Sequence, residues 1–166
     1  MTICADSSIV IRLYLPSASG SEVVSIREYI KKDNKILTIS ELCRLEVLNV
    51  FLRAPAKVPA EQFEQDLQQG LKIRLEPVNW NDTFQRAESL ARRFSRMLRP
   101  GGHDLVLVAA AVAGGATWFL SMDRNSGQRQ LAGAAGLRVW PPLDKEEKGL
   151  IRHAIQRGSR GELRTS

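Results

Sequence analysis

Four carboxylates stand at points of the chain where a carboxylate is costly. Asp6 follows the first apolar residues in ICADSSIVI, and Glu46 lies inside SELCRLEVLNVFLR. Asp104 directly precedes LVLVAAAVA, and Asp123 closes ATWFLSMD. An ionised carboxylate beside buried apolar chain is unfavourable unless a positive group or hydrogen bonds meet it. Several gathered at one place repel one another and take up protons unless a cation neutralises them. The chain holds only 2 histidines and 2 cysteines, none spaced as a metal-ligand motif. An all-oxygen donor set of this kind suits a hard ion, Mg²⁺ or Mn²⁺.

The elements that would position these acids alternate between strand and helix. A strand reaches Asp6 and a Ser-Ser turn follows; a helix spans 22–32 and a short strand 36–39. Ser40 is a plausible N-cap for a helix over 40–53, which Pro55 and Pro59 end; the next helix, EQFEQDLQQG, stops at Gly70. A strand over 73–78, a basic helix ending at Leu98, a buried helix over 104–113 and a strand over 117–122 come next. A short helix over 126–134 and a last strand, LRVW, complete the pattern. This order argues an α/β domain with a mainly parallel sheet, whose ligands gather at the C-terminal strand ends. Asp6 and Asp123 fall at such ends, and Asp104 heads the helix before the strand that leads to Asp123. On the helix 40–53, Glu46, Asn49 and Arg53 form one narrow polar stripe on an otherwise apolar, largely buried element. Glu41 belongs to the first turn and is explained as a dipole partner.

Each acid also has a purely structural reading. Asp104 would cap its helix, Asp123 would serve a turn, and Glu46 would pair with Arg53. What favours a site is the convergence of all four on one edge of the sheet.

The 166 residues suit one domain with a real core. Residues 143–166 read as a C-terminal appendage, with a short helix over 144–156 and a frayed tail. Cys4 and Cys43 read as inert core thiols. No signal peptide or membrane-spanning run is seen, which points to a soluble, cytoplasmic protein. The net charge of +6 is rich in arginine, and RAESLARRFSRMLR (86–99) carries five of them. Its apolar stripe, Ala87, Leu90, Ala91, Phe94 and Leu98, turns Arg92, Arg96 and Arg99 outward. An outward arginine row suits phosphate, although an ordinary solvated face has the same appearance. His103 reads as a bystander, and Trp80, Trp118 and Trp140 as core.

Taken together, DSS at the first strand, SELCRLEVLNV, HDLVLVAAAV, and FLSMDRN before GLRVW resemble a PIN domain. More narrowly they resemble the VapC-type toxin ribonucleases of bacterial toxin–antitoxin pairs. The resemblance covers residues 1–142 and implies a three-layer α/β/α fold. It implies a Mg²⁺- or Mn²⁺-dependent endoribonuclease with Asp6, Glu46, Asp104 and Asp123 as catalytic and metal-holding acids. Ser8, Asn49 and Asn125 would support them, Ser8 by orienting water. Arg92, Arg93, Arg96 and Arg99 would steer RNA. The resemblance further implies a cognate antitoxin, contact with DNA only through it, and a homodimer built on the helices between residues 40 and 70. Two rivals differ in class: another Mg²⁺-dependent phosphoryl-transfer enzyme with Asp6 as nucleophile, and a non-catalytic RNA-binding module. A DNA nuclease would use the same acids.

Overall fold

The computed structural model describes residues 2–15, 21–31, 35–54 and 58–162. Ile3–Ala5 form β1, and Asp6 caps α1, Ser7–Tyr14, so the expected Ser-Ser turn is the first turn of a helix. Helix α2 (Ser21–Lys31) leads to β2 (Leu37–Ile39), and α3 (Glu41–Arg53) begins at the Ser40 cap, whose hydroxyl accepts the Cys43 N–H. Pro55 and Lys32, expected at helix ends, lie outside the described residues. Helix α4 (Val58–Gln69) starts before the expected Glu61, and β3 is only Ile73–Leu75. Asn79 caps α5 (Trp80–Leu98), and α6 (Gly102–Ala113) begins two residues before Asp104. The chain continues through β4 (Trp118–Leu120), α7 (Gln128–Ala134), β5 (Arg138–Trp140) and α8 (Lys145–Glu162). The last helix outruns the expected 144–156 and takes up part of the expected frayed tail; residues 163–166 lie outside the described range.

All four strand pairings are parallel, in the order β3-β2-β1-β4-β5. Side chains alternate across a strand, so a sheet covered on both faces divides its residues between two cores. Ile3, Ala5 and Leu120 join Ile9, Val47, Phe51 and Phe63 on the α1–α4 side. Cys4, Phe119 and Val139 join Phe94, Val108, Leu131 and Ala154 on the α5–α8 side. The result is the expected three-layer α/β/α arrangement, with a sheet that is wholly parallel. The order in which strands are added reverses between β1 and β4, and in such sheets the crevice lies at the strand ends beside that reversal. Asp6 follows β1 there, and Asp123 lies just beyond β4. Among the described residues no helix is long and apolar enough to cross a membrane.

The helix α3 is not largely buried. Only Cys43, Val47 and Phe51 are covered, whereas Leu45 is 65% and Leu52 74% exposed. A helical wheel records which residues share a face, but not how many faces acquire a neighbour. The basic helix α5 buries Thr83, Ala87, Phe94 and Leu98, with Leu90 and Ala91 only half-buried. Both cysteines are free and buried, and burial pushes the Cys4 thiol up to about 12.

Two local constraints hold the loop after β4. The backbone of Gly127 (φ +76°) lies so close against the Leu98 carbonyl that a Cβ would overlap it, which requires glycine there. Arg129 on α7 is fully buried. It donates to the Ser121 carbonyl at 2.6 Å, the Pro141 carbonyl at 2.8 Å and both Glu147 oxygens at 2.8 and 3.3 Å. Leaving one partner of a buried pair uncompensated costs about 3–5 kcal/mol. Glu147→Gln keeps shape and one acceptor, so it should destabilise the protein by about 3 kcal/mol in urea denaturation. An effect below about 1 kcal/mol, the ordinary range of surface pairs, would show that the pair does not hold α8 to the domain.

Candidate active site

Asp6 is 3% exposed and supplies the centre of the site. Its Oδ1 accepts the Ser8 hydroxyl at 2.6 Å and the Ile9 N–H at 3.2 Å; its Oδ2 accepts the Ser121 hydroxyl at 2.6 Å. Each serine is itself fixed. Ser8 Oγ accepts the Met122 N–H at 2.9 Å, and Ser121 Oγ accepts the Asp123 N–H at 3.1 Å. The hydroxyls therefore tie the start of α1 to the end of β4. Burial pushes the Asp6 carboxyl up to about 6 from an ordinary 3.8; the two hydroxyls and the Ile9 amide oppose the rise, and the charge of Asp123 adds to it.

Asp104 sits at the third residue of α6 and caps its own helix, accepting the Gly101 N–H through Oδ2 at 2.8 Å. Burial raises its carboxyl and the charge of Asp123 raises it further, while hydrogen bonds from Gly101 and Ser126 and the nearby His103 pull it down. The capping role and a place beside the other acids thus coexist in one side chain. Asp123 Oδ1 accepts the backbone N–H groups of Asn125 at 2.9 Å and Ser126 at 3.3 Å, an Asx turn that aims the loop. Asn125 contributes through its backbone, and its side chain is exposed.

Glu46 reaches the site differently from the sequence expectation. Its Oε1 lies 3.2 Å from Nε2 of His103, the residue before Asp104, and not against Arg53. Its Oε2 is buried with no hydrogen-bond partner among the described residues. His103 is therefore no bystander. Asn49, one turn further along α3, is exposed and makes no side-chain hydrogen bond among the described residues. Glu41 is exposed as well.

Asp6, Asp104 and Asp123 are thus coupled through Ser8, Ser121, Ser126 and each other's charge, with Glu46 joined through His103. Among the described residues, no three His, Cys, Asp or Glu side chains form a ready-made ligand group for a metal ion. The donor chemistry nonetheless suits a hard cation. Every acid and its serine partners offer carboxylate or hydroxyl oxygens, burial pushes two of the acids up, and Glu46 Oε2 is buried without a donor among the described residues. Ser121, Ser126, His103 and Arg129 escaped the sequence reading. Only Ser121 left a signal there, as a hydroxyl between the apolar residues Leu120 and Met122.

Arg92, Arg93, Arg96 and Arg99 are all exposed on or just after α5. Arg92 is paired with Glu88 one turn away, and Arg93 lies over the Phe94 ring at 5.0 Å. Arg99 directly follows Leu98, whose carbonyl meets Gly127, so this end of the helix adjoins the Asp123 loop.

The raised Asp6 carboxyl has a measurable consequence. Its folded-state value lies above the unfolded one, so its contribution to stability is complete below about pH 4 and is lost as pH rises through about 6. Metal-free protein should therefore gain stability on going from pH 7.5 to pH 5, by about 1 kcal/mol from this group. Asp6→Asn should be at least as stable as wild type at the higher pH and should show a flatter profile. Denaturation in EDTA at the two pH values measures it; parallel profiles for the two proteins would refute the burial argument.

A family model for the PIN domain matches residues 3–134. No curated protein matches the sequence. Among solved structures, the chain is similar to VapC20 of Mycobacterium tuberculosis, described as a sarcin–ricin loop cleaving toxin. The two are 18% identical with a TM-score of 0.57, over 82% of this chain and 96% of that one. It is also similar to FitAcB of Neisseria gonorrhoeae, at 13% identity and a TM-score of 0.56 over 85% of this chain and 98% of that one. At these identities the likeness speaks for the fold; the family rests on the model match over residues 3–134, most of the chain: the chain belongs to the PIN domain family.

Proposed function

We propose that the protein is a Mg²⁺- or Mn²⁺-dependent endoribonuclease, the VapC-type toxin of a bacterial toxin–antitoxin pair acting in the cytoplasm. The observation that carries the reading is a buried Asp6 carboxylate held between two serine hydroxyls, beside Asp104 and Asp123, at the crevice of a PIN fold. Asp6, Asp104 and Asp123 would hold the ion, with Glu46 offering its unpartnered Oε2. A bound divalent ion would supply a water of lowered pKa and stabilise the oxygen leaving the phosphodiester. Ser8 and Ser121 fix the direction of both Asp6 oxygens, and His103 fixes one oxygen of Glu46. The arginines of α5 give RNA phosphates a path toward the Asp123 loop. The exposed Leu45 and Leu52 of α3 support the expected homodimer, and the descriptions of the structural neighbours support an antitoxin as partner.

RNA cleavage by purified protein should need Mg²⁺ or Mn²⁺ and stop with EDTA. Asp6→Asn and Asp104→Asn should each lower the rate by roughly a hundredfold or more. Glu46→Gln should impair cleavage far more than Glu41→Gln. Wild-type rates in the Asp6 and Asp104 variants, with contaminating nuclease excluded, would return the site to a structural role and favour a non-catalytic module. Mapping RNA ends after brief expression would identify the target.

Replacing Arg92, Arg96 and Arg99 by Gln should weaken RNA binding and lower the log–log salt slope by about 0.7 for each phosphate that an arginine no longer meets. Arg92 is already held by Glu88, so Arg96 and Arg99 should account for most of the change. An unchanged slope would make this helix ordinary solvated surface.

A further inference from the structure

Among the described residues, strand β5 ends the sheet and pairs with β4 alone. Beyond its outer edge, α8 and the segment before it leave an open groove of about 730 Å³. Half-buried Leu143 contributes apolar surface to it together with the small open parts of Leu137 and Ile151, each 9% exposed, and Arg138, Lys148 and Arg152 line it as exposed cations. Lys148, Ile151 and Arg152 stand at i, i+3 and i+4 on α8, so one face of that helix presents two charges around an apolar centre.

Among the described residues, no acidic side chain lines the groove. Of the acids on this segment, Glu147 is engaged by Arg129 inside the core and Asp144 points toward Arg124 at 4.0 Å, while the exposed Glu146 is not among the lining residues. None of the three cations forms an ion pair with a described residue. Arg138 lies over the Trp118 ring at 5.7 Å, and Arg152 Nε reaches only the Lys148 carbonyl at 3.4 Å. A groove with an apolar floor and an unneutralised positive rim complements a ligand of opposite pattern.

We propose that this groove docks an acidic peptide segment with interspersed aliphatic side chains. Carboxylates would meet Arg138, Lys148 and Arg152, and aliphatic groups would cover Leu143 and Ile151. Single-stranded RNA fits less well, because it needs free aromatic faces on which bases can stack. The two groove tryptophans do not offer them: Trp140 stacks on Tyr29 at 5.0 Å and 23°, and Trp118 lies beneath Arg138. The groove lies along the side of the sheet and shares no lining residue with the hydroxyl-linked acids, so docking there does not depend on the nuclease reading.

The test uses the full chain in EDTA and fluorescence anisotropy. The probe is a fluorescein-labelled, acetylated hexapeptide of alternating glutamate and leucine. It should bind saturably, with affinity falling as salt rises. The triple variant Arg138→Gln, Lys148→Gln, Arg152→Gln changes only exposed side chains, and it should bind about tenfold or more weakly. A peptide with serine in place of leucine should weaken to a similar degree. Three outcomes would overturn the proposal: no saturation up to about 1 mM peptide, equal binding by the triple variant, or equal binding of the serine peptide. A labelled hexauridylate that binds more tightly than the peptide and loses that binding in the triple variant would assign the groove to RNA instead.

Discussion

A guanidinium cut off from water must direct its donors to protein oxygens, and Arg129 directs them to three separate segments. It sits on α7 and bonds the end of β4 at Ser121, the chain just beyond β5 at Pro141, and the first turn of α8 at Glu147. A buried ion pair contributes little net stability compared with apolar packing of the same volume, because both charges are desolvated. Its effect is to define geometry. Ser121, whose carbonyl Arg129 holds, is the residue whose hydroxyl binds Asp6. The orientation of the central carboxylate thus depends on a residue that never touches it.

The same interaction changes how the C-terminal segment is understood. The family model ends at residue 134, yet Ala154 of α8 is fully buried in the core on the α5–α8 side, and Ile151 is nearly so. Gly133 makes room for Ile151 and Leu143, since a Cβ there would lie 2.8 Å and 3.1 Å from their side chains. In packing terms α8 completes that layer.

Electrostatics at the strand ends follow from the fold rather than from the acids alone. Asp6 is buried because β1 is central and covered on both faces; its carboxyl rises to about 6 despite three hydrogen bonds that favour its charged form. Desolvation outweighs the serines and the backbone amide together. Asp104 has the help of a helix N-terminus and still rises, because burial dominates and Asp123 adds a like charge nearby. This balance is what a divalent cation would reverse, and it links the stability of the free protein to the chemistry proposed for the loaded one.

Much of the architecture was legible in the chain. Apolar runs of β-branched residues marked the strands, Ser40 marked a helix start, and the acids fell at strand ends because a parallel sheet puts them there. What the chain could not disclose were meetings between distant residues. Glu46 and His103 are far apart in sequence, and no periodicity links them; the helical wheel offered Arg53 only because it considers one helix at a time. The wheel likewise showed α3 apolar on most sides, but exposure depends on how many neighbours arrive, and Leu45 and Leu52 are left open. An arginine in a short helix reads as surface by its charge, whereas Arg129 is buried because Glu147 and three carbonyls converge on it. Local patterning therefore determined the elements, their order and the position of each acid along the chain. Only tertiary packing decided which polar groups meet, because that depends on distances the sequence does not contain.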